Sequence, residues 1–172
     1  ASCSLRSRPA TAPRGTIRSF DNKYYSKSAA VGPVSLREPY HNDEFSFLKS
    51  AAKHELKIPI TGAYTLAVWS YDEHHLPRTG RLGGGLSRQD EVDARRELTL
   101  DIARNIIRPN LEALIALGAT WIQIDEPSAA IVPGQIGEYV KMFNACVEGV
   151  RARIAYHVCF GNLLSRPRGK RS

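Results

Sequence analysis

Residues 120–127 read TWIQIDEP, and this short stretch decides the fold class. Four mostly apolar residues lead straight into two carboxylates and a proline. The alternation and the β-branched content predict a strand over 120–125 that stops where Pro127 removes a backbone donor. A helical stretch lies on either side. Ser87 followed by Asp90 predicts the start of a long helix, with Leu98, Ile102, Ile106 and Leu114 on its apolar face. Pro109 is expected to kink it and Gly118 to end it. Downstream, 136–150 reads as a second helix and 154–159, IAYHVC, as a further strand.

Upstream, 31–36 (VGPVSL) and 57–61 (KIPIT) read as strands, with a helix over 41–54 between them. On that helix Phe45, Leu48 and Ala52 form the expected apolar side. Residues 62–70 form a loop that opens a helix. Residues 71–89 are polar and rich in glycine, including Gly83, Gly84 and Gly85, and read as a mobile loop with solvated His74 and His75. Strand alternating with helix is the pattern of a parallel sheet joined by crossovers. About four β/α units are expected. A closed barrel needs eight such units and about 250 residues. The 172 residues therefore fit either an open α/β sheet or an incomplete barrel, and 20–172 is expected to be one such domain.

Composition excludes more than it suggests. The net charge of +7 is carried by the ends. Arg6, Arg8, Arg14 and Arg18 near the start, and Arg166, Arg168, Lys170 and Arg171 near the finish, account for all of it. A nucleic-acid surface is more often a basic patch interleaved with aromatics, so no specific nucleic-acid partner is expected. No apolar run approaches about 20 residues, so no membrane span is expected either. Cys3, Cys146 and Cys159 do not suggest a disulfide framework. Residues 1–19 read as a disordered or leader-like segment, and a cytoplasmic location is expected for the chain.

Chemically capable residues gather at the C-terminal ends of the expected strands, where parallel β/α folds hold their active residues. His157 and Cys159 lie two apart, so on one strand they would share a face. Imidazole and thiolate together suit Zn²⁺, although two ligands do not complete a tetrahedral site. The bland alternative is a His and a Cys that happen to share a buried strand. Cys146, expected in mid-helix and buried, is no third ligand. Of Asp125 and Glu126, alternation lets one point into a site, to hold an ammonium or act as a base. The alternative is a helix cap or an arginine partner. Trp69, with Tyr64 and Thr65, can stack a flat ring and hydrogen-bond its edge; ordinary packing under a loop is the other reading.

Taken in order, ITGAYTLAVWS (60–70), IQIDEP (122–127) and HVCFGN (157–162), with VGPVSLREP (31–39) before them, resemble segments of the cobalamin-independent methionine synthase superfamily. The resemblance implies part of a (β/α)₈ barrel and a zinc-dependent methyltransferase acting on a small thiol, with a methyl-folate as donor. It implies His157 and Cys159 as two zinc ligands. It implies Asp125, with Glu126, on the substrate side, Asp125 holding the amino group. Trp69 would lie against the donor's pterin, and Thr65 is a further substrate-side candidate. The chain also departs from the family. Ile131 stands where the synthase has a folate-contacting glutamate, Ala63 replaces a proline, and the insert at 71–89 is foreign to it. The two remaining zinc ligands of the family fall on strands later than Ser172. Two alternatives share part of the logic: thiol alkylation like that of the epoxyalkane:coenzyme M transferases, and an inactive truncated remnant. An incomplete barrel would leave an open sheet edge able to self-associate.

Overall fold

A computed structural model describes residues 11–18, 24–76, 85–131, 136–159, 162–163 and 166–167. Its elements are β1 (Thr11–Arg18), β2 (Tyr24–Ala30), α1 (Asn42–Ala51), β3 (Ile58–Thr61), α2 (Ala63–Val68), β4 (Tyr71–Asp72), α3 (Arg88–Ile102), α4 (Arg108–Ala116), β5 (Trp121–Asp125), α5 (Ile136–Val147), β6 (Arg153–His157), β7 (Asn162–Leu163) and β8 (Arg166–Pro167). A π-helical turn, Ala103–Ile107, joins α3 to α4, and a 3₁₀ turn, Pro127–Ile131, follows β5.

The architecture is mixed α/β. Strands β3, β5 and β6 form one parallel sheet in that order, with β5 in the centre. Strands β1 and β2 pair antiparallel, and β2 pairs in parallel with β4 over two residues. Strands β7 and β8 form a small antiparallel pair. The isoleucines of the central sheet explain its layering. Ile58, Ile60, Ile122 and Ile124 are buried, while Pro59, Gln123 and Asp125 between them are exposed or half-buried. One face is thus covered by helices and the other, among the described residues, is open. The covered face meets a core of Leu98, Ile102, Ile106, Ile107, Leu111 and Leu114 from the long helical run. Helix α2 packs on α3 and α5 above it.

Three sequence expectations need correction. The segment 31–36 is not a strand. Gly32 and Pro33 interrupt it, and Pro33 cannot donate to a ladder. The strand lies earlier, over 24–30, and pairs with 11–18, inside the segment that reads as disordered or leader-like. Residues 1–10 and 168–172, which carry much of the basic charge, lie outside the described residues, as do Gly83, Gly84, Pro133 and Gly134. Second, β6 ends at His157, so Cys159 lies beyond the strand rather than on it. Third, Leu48 and Ala52 do not join Phe45 in the core; both are exposed.

At the position where a kink is expected, a π-helical turn, Ala103–Ile107, stands just before Pro109, and α-helix resumes at Arg108. Pro109 has no N–H to give to the carbonyl of Asn105. The Leu36 N–H donates to that carbonyl instead, at 2.8 Å. The side chain of buried Asn110 accepts from the Tyr40 N–H at 2.8 Å. These two bonds tie segment 31–40 to the helices. Gly118 ends α4 with φ of 97°, in the left-handed region that favours glycine. Ser87 caps α3 through a capping box with Asp90, as expected.

Candidate functional site

The C-terminal ends of β3, β5 and β6 are level. Thr61 pairs in register with Asp125, and Asp125 with His157. In parallel strands, residues at one register level point to the same side of the sheet. Here that side is the open one. The backbone ties these ends together: the Gly62 N–H donates to the Asp125 carbonyl at 2.9 Å, and the Glu126 N–H to the His157 carbonyl at 2.9 Å.

Asp125 and Glu126 then part company. Glu126 is 1% exposed. Its Oε1 accepts from the Tyr64 N–H at 3.0 Å, and its Oε2 from the Thr65 N–H at 2.8 Å and the Thr65 hydroxyl at 2.7 Å. Tyr64 and Thr65 are the second and third residues of α2. Their amides are the ones an N-cap side chain ordinarily satisfies. The residue at the cap is Gly62, which has no side chain to do so. Glu126 performs the task from a different strand, aided by the positive end of the helix. Glycine at 62 is required for this. A Cβ there would overlap the Glu126 carboxylate, with its Cγ at 2.6 Å.

Glu126 and Thr65 are therefore corrected: neither is open to substrate. Thr65 is buried, its hydroxyl donates to Glu126, and its oxygen accepts from the Ser128 N–H at 3.3 Å. Of the readings left open at Glu126, the helix cap is the one found. Burial raises its pKa above the ordinary carboxylate value, and the hydrogen bonds from Thr65 and Tyr64 oppose that rise without cancelling it. Burial, then the Glu126 charge, also pushes the Cys146 thiol up to about 12. Cys146 is fully buried on α5 and inert there, as its helical position predicts.

Asp125 is half-buried on the open side, and its Oδ1 accepts from Gln123 Nε2 at 2.7 Å. His157 is exposed, and Cys159 is a half-buried free thiol two residues later. Trp69 is half-buried at the C-terminal end of α2, where its backbone N–H donates to the Thr65 carbonyl at 3.0 Å. Asp125 and His157 are thus brought level by register, and Thr61 joins them unforeseen. His75 is not the solvated side chain expected. Its Nδ1 lies 3.1 Å from an Asp72 oxygen and its Nε2 3.3 Å from an Asp101 oxygen. Among the described residues no group of three or more His, Cys, Asp or Glu side chains is placed to hold a metal ion. His157 and Cys159 fit zinc in kind but not in number. A separate cavity of about 400 Å³ lies among α2, α3 and α5, lined by Tyr64, Arg88, Arg95 and Glu138. It contains none of the strand-end residues. No helix among the described residues is long and apolar enough to cross a membrane.

No family model matches the chain. Among curated proteins, the methionine synthase of Thermoplasma acidophilum is 34% identical over 158 residues, covering 86% of this chain and 40% of the relative. The methionine synthase of Thermococcus kodakarensis is 36% identical over 149 residues, covering 86% of this chain and 39% of the relative. The chain thus spans about two-fifths of the length of the curated relatives it matches. Among solved structures, a B12-independent methionine synthase from Shewanella sp. W3-18-1, in complex with selenomethionine, superposes with a TM-score of 0.70 at 21% identity. That match covers 91% of this chain and 42% of the other, and it shows a shared fold.

Proposed function

Since the chain is homologous to part of the methionine synthases, we propose that it forms part of a (β/α)₈ barrel of a zinc-dependent methyltransferase that methylates a small amino-acid thiol. In this reading Asp125 receives the ligand's ammonium group, and His157 and Cys159 supply two of the zinc ligands. Trp69 packs against the methyl donor, a methyl-folate. The observation that carries the reading is the register Asp125↔His157 on the open side of the sheet. It brings a carboxylate and an imidazole level at adjacent strand ends, where parallel β/α folds do their chemistry. Selenomethionine bound to the Shewanella protein is an amino acid of the class such a site would take.

Zinc, when bound, lowers the pKa of a ligand thiol so that a thiolate exists at neutral pH. Two donors leave the site short of the four a tetrahedral ion takes. What the chain's own residues do is narrower. Asp125 offers a fixed carboxylate to an ammonium. Glu126 anchors the first turn of α2, and so sets where Trp69 stands at its far end.

Cobalt(II), which accepts zinc's ligands and reports thiolate ligation by its absorption, tests the metal assignment. Wild-type chain is expected to show a thiolate-to-cobalt band that disappears in Cys159→Ser and weakens in His157→Ala. A band that survives Cys159→Ser would overturn the assignment of this pair.

A further inference from the structure

On the open face of the central sheet, three side chains form a line that ends at Asp125. Lys57 Nζ donates to Gln123 Oε1 at 2.6 Å, and Gln123 Nε2 donates to Asp125 Oδ1 at 2.7 Å. Gln123 and Asp125 are two apart on β5, so alternation places them on one face. Lys57 immediately precedes β3, the strand next to β5. The partners admit only one orientation of the amide: its oxygen meets the ammonium and its NH₂ meets the carboxylate. The line therefore runs from cation through amide to anion, and each bond polarises the other. Lys57 is itself steadied at the ring of Trp121, with Nζ 5.4 Å from the centroid, and the Arg153 guanidinium lies over the same ring at 4.1 Å.

We propose that Gln123, with Lys57 behind it, is a positioning residue that fixes the Asp125 carboxylate for the ammonium of an α-amino-acid ligand. The inference rests on the amine-binding reading of Asp125. A half-buried aspartate left alone samples several rotamers, and a ligand must then order it on binding. The Gln123 amide holds one carboxylate oxygen beforehand. Among the described residues nothing donates to the other oxygen. The amide also stands between the Lys57 ammonium and the carboxylate. The protein's own cation is kept off the position that the ligand's ammonium would take.

The test is a preference rather than an affinity. Dissociation constants for L-methionine and for its deamino counterpart, 4-(methylthio)butanoate, are measured on the full chain by titration calorimetry. The proteins are wild type, Gln123→Leu, Lys57→Met and Asp125→Asn. Wild type is expected to prefer methionine, and Asp125→Asn to lose the preference. Gln123→Leu is expected to reduce it about three- to ten-fold, the scale of one hydrogen bond, with binding of the deamino compound unchanged. Lys57→Met should move it the same way by less. A preference lost in Asp125→Asn but intact in Gln123→Leu overturns the positioning role and leaves the amine reading standing. Absence of a preference or of binding in wild type, or a preference undiminished in Asp125→Asn, overturns the amine reading and this inference with it. Equal weakening of both ligands in Gln123→Leu points to general damage and overturns the positioning role.

Discussion

Asp125 and Glu126 are neighbours of the same charge, and the fold uses them in opposite ways. Glu126 sits under the first turn of α2, 1% exposed, with three donors on its two oxygens. Asp125 sits on the open side of the sheet, level with Thr61 and His157, and has one donor among the described residues. The first region is closed: everything it needs comes from within the chain. The second is open, and its described neighbours do not saturate it. Where a buried carboxylate already has all its partners, its task is structural. Where one is fixed at one oxygen only, a ligand has somewhere to go.

The closed region should be by far the more sensitive to substitution. Gly62→Ala drives a methyl into the Glu126 carboxylate. It should cost about 3 kcal/mol or more, read as a fall in the urea midpoint, because neither the helix end nor the buried carboxyl can move cheaply. Glu126→Ala leaves the Tyr64 amide, the Thr65 amide and the Thr65 hydroxyl without their acceptor. A loss of about 2–4 kcal/mol is expected from the same measurement. If both variants unfold at the wild-type midpoint, the cap described here is not what holds α2.

A pH series sharpens the contrast. Burial lifts the pKa of Glu126 in the folded chain above the ordinary 4.5. The folded state thus binds this proton more tightly than the unfolded state does. The stability from this group is fully present below about pH 4.5 and declines as pH rises from there through the raised folded value. Glu126→Gln cannot ionise and should flatten that part of the stability profile. A profile identical in slope to wild type would show that Glu126 does not titrate between the two states. The smallest effects are expected on the open side. Asp125→Asn and Cys159→Ser should each change stability by only about 0.5 kcal/mol, since neither side chain completes a buried network. A loss there as large as that of Glu126→Ala would erase the distinction between the regions.

Much of this was readable in the chain. The strand expected at 120–125, found at Trp121–Asp125, and the long helix capped at Ser87 stand where the apolar period and the capping box put them. So does the break at Pro109, because a missing N–H is a property of the residue itself. Gln123 was not legible: it lies two before Asp125 on one strand face, but a neutral amide in an apolar run gives no chemical signal of its own. The strand expected at 31–36 failed because its valines suggested β structure while Gly32 and Pro33 denied it a ladder.

The amino-acid sequence by itself offered candidates for chemistry near the strand ends, Asp125, Glu126, His157 and Cys159 among them, since composition and spacing are local properties. It left open whether Glu126 was a ligand-binding acid or a helix cap. Only the tertiary structure decided that. The donors that occupy Glu126 belong to residues 61 and 62 positions away, and glycine at 62 leaves space only for a carboxylate that arrives from another strand. A contact of that range has no signature in either segment alone, because each half reads as complete until the sheet brings them together.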